Sequence, residues 1–101
     1  MPYIKREYRD ILNKDISELL ETLKHIKCND IDGCLNYVIT LLIDELYGSG
    51  GYFEYNRAIG VLDCVKQEFW DRRVKPYESS KCVENGDVYI PRDRSPDHYV
   101  E

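Results

Sequence analysis

At 101 residues the chain has the length of one domain, with room for a thin core. Its 43% hydrophobic and 33% charged residues are ordinary globular composition and exclude a wholly disordered chain. The net charge is −5, with five acidic residues and no Lys or Arg between Cys28 and Glu54; this disfavours nucleic acid as a partner, leaving Arg72, Arg73 and Lys75 as the one local basic cluster.

Pro2-Tyr3-Ile4 reads as a short extended lead, and Lys5 to Leu12 as a turn or short helix. Asn13 is then placed to cap a helix of about Lys14 to Lys27. Ile16, Leu19, Leu20, Leu23 and Ile26 give that helix a single apolar face. Asn29-Asp30-Ile31-Asp32-Gly33 breaks it. A calcium loop with Gly33 sixth would put Cys28 first and Ile39 twelfth, where Asp and Glu are needed, so Asp32 is read as the next N-cap.

The second helix, about Gly33 to Tyr47, is apolar on almost every side. It is shorter than the ~20 residues a bilayer span requires, so no membrane is implied. A helix of this kind must be buried all round, and a homodimer is the expected cover. Asn36, Thr40 and Asp44 form its one polar stripe, with Tyr37, Leu42 and Glu68 as associated interface candidates. Two readings of the stripe stand: a solvent edge, or a buried polar network against Glu68, Arg73 or Tyr37.

Gly48-Ser49-Gly50-Gly51 separates this helix from a third, starting at Phe53 or Tyr55 and running to about Lys75. Gly60 in its middle costs about 1 kcal/mol relative to Ala, which predicts a closely approaching neighbour helix. Pro76 either ends that helix or opens a short fourth one, closed by Asn85-Gly86. Val88-Tyr89-Ile90 follows as a short strand, predicted to pair with Pro2-Tyr3-Ile4 in a minor two-stranded edge. The fold expectation is thus all-α, three to four helices in a single domain over 1–90, with a flexible tail over 91–101.

The stretches LNYVIT at 35–40, IGVLDCVKQEFWDRRVKPYE at 59–78 and NGDVY at 85–89, after the opening MPYI, resemble a family of small uncharacterised helical proteins of bacteria, archaea and their phages. The resemblance implies a compact helical fold and carries no activity. It implies recurring polar positions at Asn36, Tyr37, Thr40, Glu68, Arg73, Tyr77, Glu78, Lys81, Asn85, Gly86 and Asp87, and because it falls on Asn36 and Thr40 it favours the buried-network reading of the stripe.

Catalytic chemistry finds little footing. His25 lies on a helix face and His98 in the tail, neither beside a nucleophile. Asp44 and Glu45 diverge around their helix, whereas Glu68 and Asp71 could share a face. No phosphate-binding glycine loop is present. Four cysteines, no leader peptide and no paired C-x-x-C predict a cytoplasmic protein with reduced, metal-free thiols, although His25, Cys28 and Cys34 could in principle meet a zinc ion. The expectation is an interaction or assembly module acting as a homo-oligomer, without catalytic residues, metal or cofactor. The alternative is a binder that sequesters a small anionic ligand or nucleotide, as in phages, using Arg72, Arg73, Tyr77, Glu78, Lys81, Asn85 and Asp87. Nine tyrosines suit either reading.

Overall fold

The computed structural model describes residues 1–26 and 30–92. Cys28, His98 and all of the tail beyond Arg92 lie outside the described residues, as do the expectations that fall on them. The described residues form helix α1 (Arg6–His25), α2 (Ile31–Tyr47), α3 (Tyr52–Phe69), a π-helical turn (Trp70–Val74) and α4 (Lys75–Asn85). The described residues are thus all-α. It divides into two compact units, Met1–Lys66 and Gln67–Glu101.

In the first unit, α1 starts eight residues before the expected Lys14. Arg6 to Leu12 are mostly good helix formers, and Asn13 costs well under 1 kcal/mol inside a helix, so propagation runs through it. The result is one long apolar stripe through Tyr8, Leu12, Ile16, Leu19 and Leu23. Asp30, not Asp32, caps α2: its carboxylate accepts the Gly33 N–H at 2.8 Å. Gly51 takes the N-cap position of α3. Its carbonyl accepts the Tyr55 N–H at 3.0 Å, and its own N–H donates to Glu54 Oε2 at 2.7 Å. The second bond is the reciprocal half of a capping box, and it holds the Glu54 carboxyl below its ordinary 4.5.

In the second unit, the helix does not stop before proline. Lys75 keeps helical angles, φ −59° and ψ −48°, and its N–H reaches back five residues to the Trp70 carbonyl. In a regular α-helix the Pro76 ring would collide with the Arg72 carbonyl. The wider π turn opens space there without ending the helix. Arg73 Nη1 lies 3.5 Å from the Arg72 carbonyl, which Pro76 cannot serve. Pro76 therefore opens α4, as one of the two sequence readings has it.

Neither Pro2-Tyr3-Ile4 nor Val88-Tyr89-Ile90 is a strand, and no strand occurs among the described residues, so the two-stranded edge is corrected. Local bonds take the groups a ladder would use: Arg9 Nε donates to the Ile4 carbonyl at 2.8 Å, and the Tyr89 N–H donates to Asp87 Oδ1 at 2.9 Å. A bare two-stranded pair is marginal to begin with.

Ala58 is the one buried residue among those described. Leu23, Cys34 and Val38 are half-buried, on α1 and α2, two helices that approach each other. Leu42 and Leu46, in contrast, are 55% and 73% exposed. A Cβ added at Gly60 would meet nothing within 4 Å, so no helix among the described residues approaches it closely.

Candidate functional site

The turn between α2 and α3 builds a groove. Tyr55 donates its hydroxyl to the Gly48 carbonyl at 3.2 Å, tying α3 to the end of α2. The Arg57 guanidinium lies 5.6 Å from the Tyr47 ring centre and 5.7 Å from that of Phe53, within cation–π range of both. Beyond this clamp the two helices enclose an open groove of about 770 Å³. Ile39 and Ile43 of α2 form one wall, Ile59 and Leu62 of α3 the other, and Ala58 also lines it.

The polar stripe faces into this groove. Asn36, Thr40 and Asp44 all line it, and the Thr40 hydroxyl donates to Asn36 Oδ1 at 3.2 Å. All three are exposed, and no polar residue is buried among the described residues. The chain by itself therefore does not bury the stripe against Tyr37, which is 64% exposed and off the groove lining. Leu42 lies on another side of α2, with Leu35 and Leu46. Glu68 belongs to the second unit, where it pairs with Arg72 at 3.4 Å.

The second unit carries its own groove, of about 540 Å³. The π turn decides who faces it. In an unbroken α-helix Trp70 would align with Val74 and Tyr77; the extra residue aligns it instead with Lys75, Glu78 and Cys82, and these four share the lining. Gly86 then turns the chain at φ 89° and ψ 147°, values that L side chains rarely adopt. This brings Asp87 and Tyr89 to the same groove, with Lys81 and Asn85.

Of the sequence-predicted ligand residues, Glu78, Lys81, Asn85 and Asp87 thus come together, whereas Arg72, Arg73 and Tyr77 stay off the lining. Arg72 is engaged by Glu68, and Lys81 lies 5.8 Å from the Tyr77 ring centre and 3.4 Å from Glu84 Oε2. Glu68 and Asp71 do not act as a carboxylate pair: Asp71 accepts from Gln67 at 3.1 Å while Glu68 faces Arg72. His25 sits with Glu21, its Nδ1 2.8 Å from the Glu21 carbonyl oxygen. Among the described residues no three His, Cys, Asp or Glu side chains converge on a metal position, and Cys64 and Cys82 are free thiols. No helix among the described residues is long and apolar enough to cross a membrane.

Sequence reasoning missed Arg57, Tyr47 and Tyr55 as the clamp. It also missed Glu54, although Gly51-x-x-Glu54 has capping-box spacing. Trp70 was legible only through the proline six residues later.

These features define, over the described residues, an all-helical protein with an open groove in each of its two units. The chain belongs to the family described as a domain of unknown function, DUF6899, whose model matches residues 1–88. No curated protein and no solved structure matches it.

Proposed function

We propose that the protein is an assembly module that works as a homo-oligomer, at its smallest a dimer, with α2 at the centre. One observation carries this reading: Ala58 is the only buried residue among those described, while α2 presents uncovered apolar side chains on opposite sides. Leu35, Ile39, Leu42 and Leu46 are exposed along one side of α2, and Tyr37 and Leu41 along the other. Each Leu or Ile kept out of water is worth about 1.5–3 kcal/mol, and a domain's whole stability is only about 5–15 kcal/mol. Cover from a permanent partner supplies what the chain lacks, and closed two-fold pairing of identical chains is the commonest form of it.

Sedimentation equilibrium at micromolar concentration tests the reading. The expected result is a dimer or larger closed oligomer; a clean folded monomer would sink it. Leu42→Asp should dissociate the assembly or prevent folding, and Arg92→Ala should do neither.

A second reading draws on the groove beside Trp70, in the manner of a phage protein that sequesters a host nucleotide. Lys75 and Lys81 offer charge to an anion, Trp70 and Tyr89 offer ring faces, and Asn85 offers an amide. Native mass spectrometry of protein purified from cells would report a retained small molecule and the copy number together. A ligand-free spectrum, with no Trp70 fluorescence change on titrating nucleotides, would dispose of this reading.

A further inference from the structure

The groove between α2 and α3 carries a polar pattern that is its own complement. Asn36, Thr40 and Asp44 follow one another at four-residue steps, so Thr40 is the midpoint. The Asn36 carbonyl oxygen is occupied by the Thr40 hydroxyl, which leaves its amide N–H groups to donate. Among the described residues no hydrogen bond or ion pair engages the Asp44 carboxylate, which can only accept. A donor at one end and an anionic acceptor at the other, equidistant from a small residue, match a second copy of the same stripe run in the opposite direction.

We propose that the groove receives α2 of a second copy, antiparallel to the first, about a two-fold axis at Thr40. This rests on the homo-oligomer reading above and gives it a register. Asn36 of each protomer then donates to Asp44 of the other, and the two Thr40 side chains meet at the axis. Ile39 and Ile43 flank these bonds, and Ile59 and Leu62 close the groove wall over the incoming helix. The stripe runs along an i±4 ridge, and two such ridges interdigitate in the commonest class of helix crossing. The two Asp44 carboxylates are kept apart, each about 12 Å along its helix from its own Asn36. A parallel arrangement would set Asp44 against Asp44 with no donor between them. Charge complementarity thus selects both the occupant and its direction.

An exchange of the two polar residues tests the register. Asn36→Asp alone faces one carboxylate with another and should weaken dimerisation at least 10-fold, read by sedimentation velocity across a dilution series. Adding Asp44→Asn restores a donor opposite each acid and should bring the dissociation constant back to within about 3-fold of the parent. In a second measurement, Thr40→Cys should form an intermolecular disulfide under mild oxidation faster than the parent's own cysteines, while Asn36→Cys and Asp44→Cys should not. If the double variant dimerises no better than Asn36→Asp, or if all three cysteine variants cross-link equally, the antiparallel register is wrong and the homo-oligomer reading still stands. A monomeric parent overturns both.

Discussion

Ile59→Ala probes the groove at its most exposed apolar wall. Ile59 is 58% exposed in the single chain and lines the groove from α3. Full burial of such a side chain is worth about 1.5–3 kcal/mol, so covering the exposed fraction contributes about 0.9–1.7 kcal/mol per chain. A symmetric dimer buries two copies, which doubles the loss on truncation to about 2–3.5 kcal/mol. At 1.4 kcal/mol per decade the dimer dissociation constant should rise about 30- to 300-fold. Analytical ultracentrifugation over a thousandfold range of concentration would resolve a change of that size. Ile11→Ala is the comparison: Ile11 is 70% exposed on α1, off both the apolar stripe and the groove. A surface change of this kind is worth about 0.5 kcal/mol or less, hence less than about 5-fold for two copies. If Ile59→Ala weakens association no more than Ile11→Ala does, the groove is not buried on assembly.

Three further outcomes follow from particular bonds. Pro76→Ala should let the helix revert from the π turn to an α turn, rotating Trp70 away from Lys75 and Glu78; emission from Trp70, the sole tryptophan, should shift while far-UV helicity holds or rises, and an unchanged spectrum would refute the proline as the cause of the turn. Gly86→Ala meets open space but keeps a strained φ of 89°, so it should destabilise by about 1–3 kcal/mol in urea unfolding; a neutral effect would contradict that backbone conformation. The Glu54 carboxyl is lowered from 4.5 by the Gly51 N–H, so its contribution is complete above its unfolded value and is lost as pH falls through the lowered folded one. Thermal scans from about pH 6 to about pH 3 should therefore show a shallower acid loss in Glu54→Gln than in the parent, and equal slopes would remove the cap from the account.

The helical class was legible because hydrophobic spacing is a local property. Ile16, Leu19 and Leu23 announce a one-faced helix, and Leu35 to Tyr47 announce one apolar on almost every side, whatever surrounds them. Pro76 and Asn85-Gly86 likewise mark the start and stop of α4, since φ preferences belong to single residues. The break expected at Asn13 failed because a cap residue is also a tolerable interior residue when good helix formers lie on both sides. The edge pairing failed because Asp87 and Arg9 offered the backbone nearer partners than a distant strand could.

What the residue string determined by itself is therefore the set of helices, the excess of apolar surface on α2 and the polar stripe at 36, 40 and 44. Only the tertiary structure decided that this stripe faces Ile59 and Leu62 across a groove, and that Trp70 shares a face with Lys75 and Glu78. The first depends on the clamp of Tyr55 and Arg57 at the α2–α3 turn, which sets how two helices open from a common corner. The second depends on one extra residue in one turn, which rotates every later side chain by roughly 100°. Periodicity read along a chain assumes an unbroken helix and no neighbours, so neither a corner between helices nor a change of phase within one leaves its mark there.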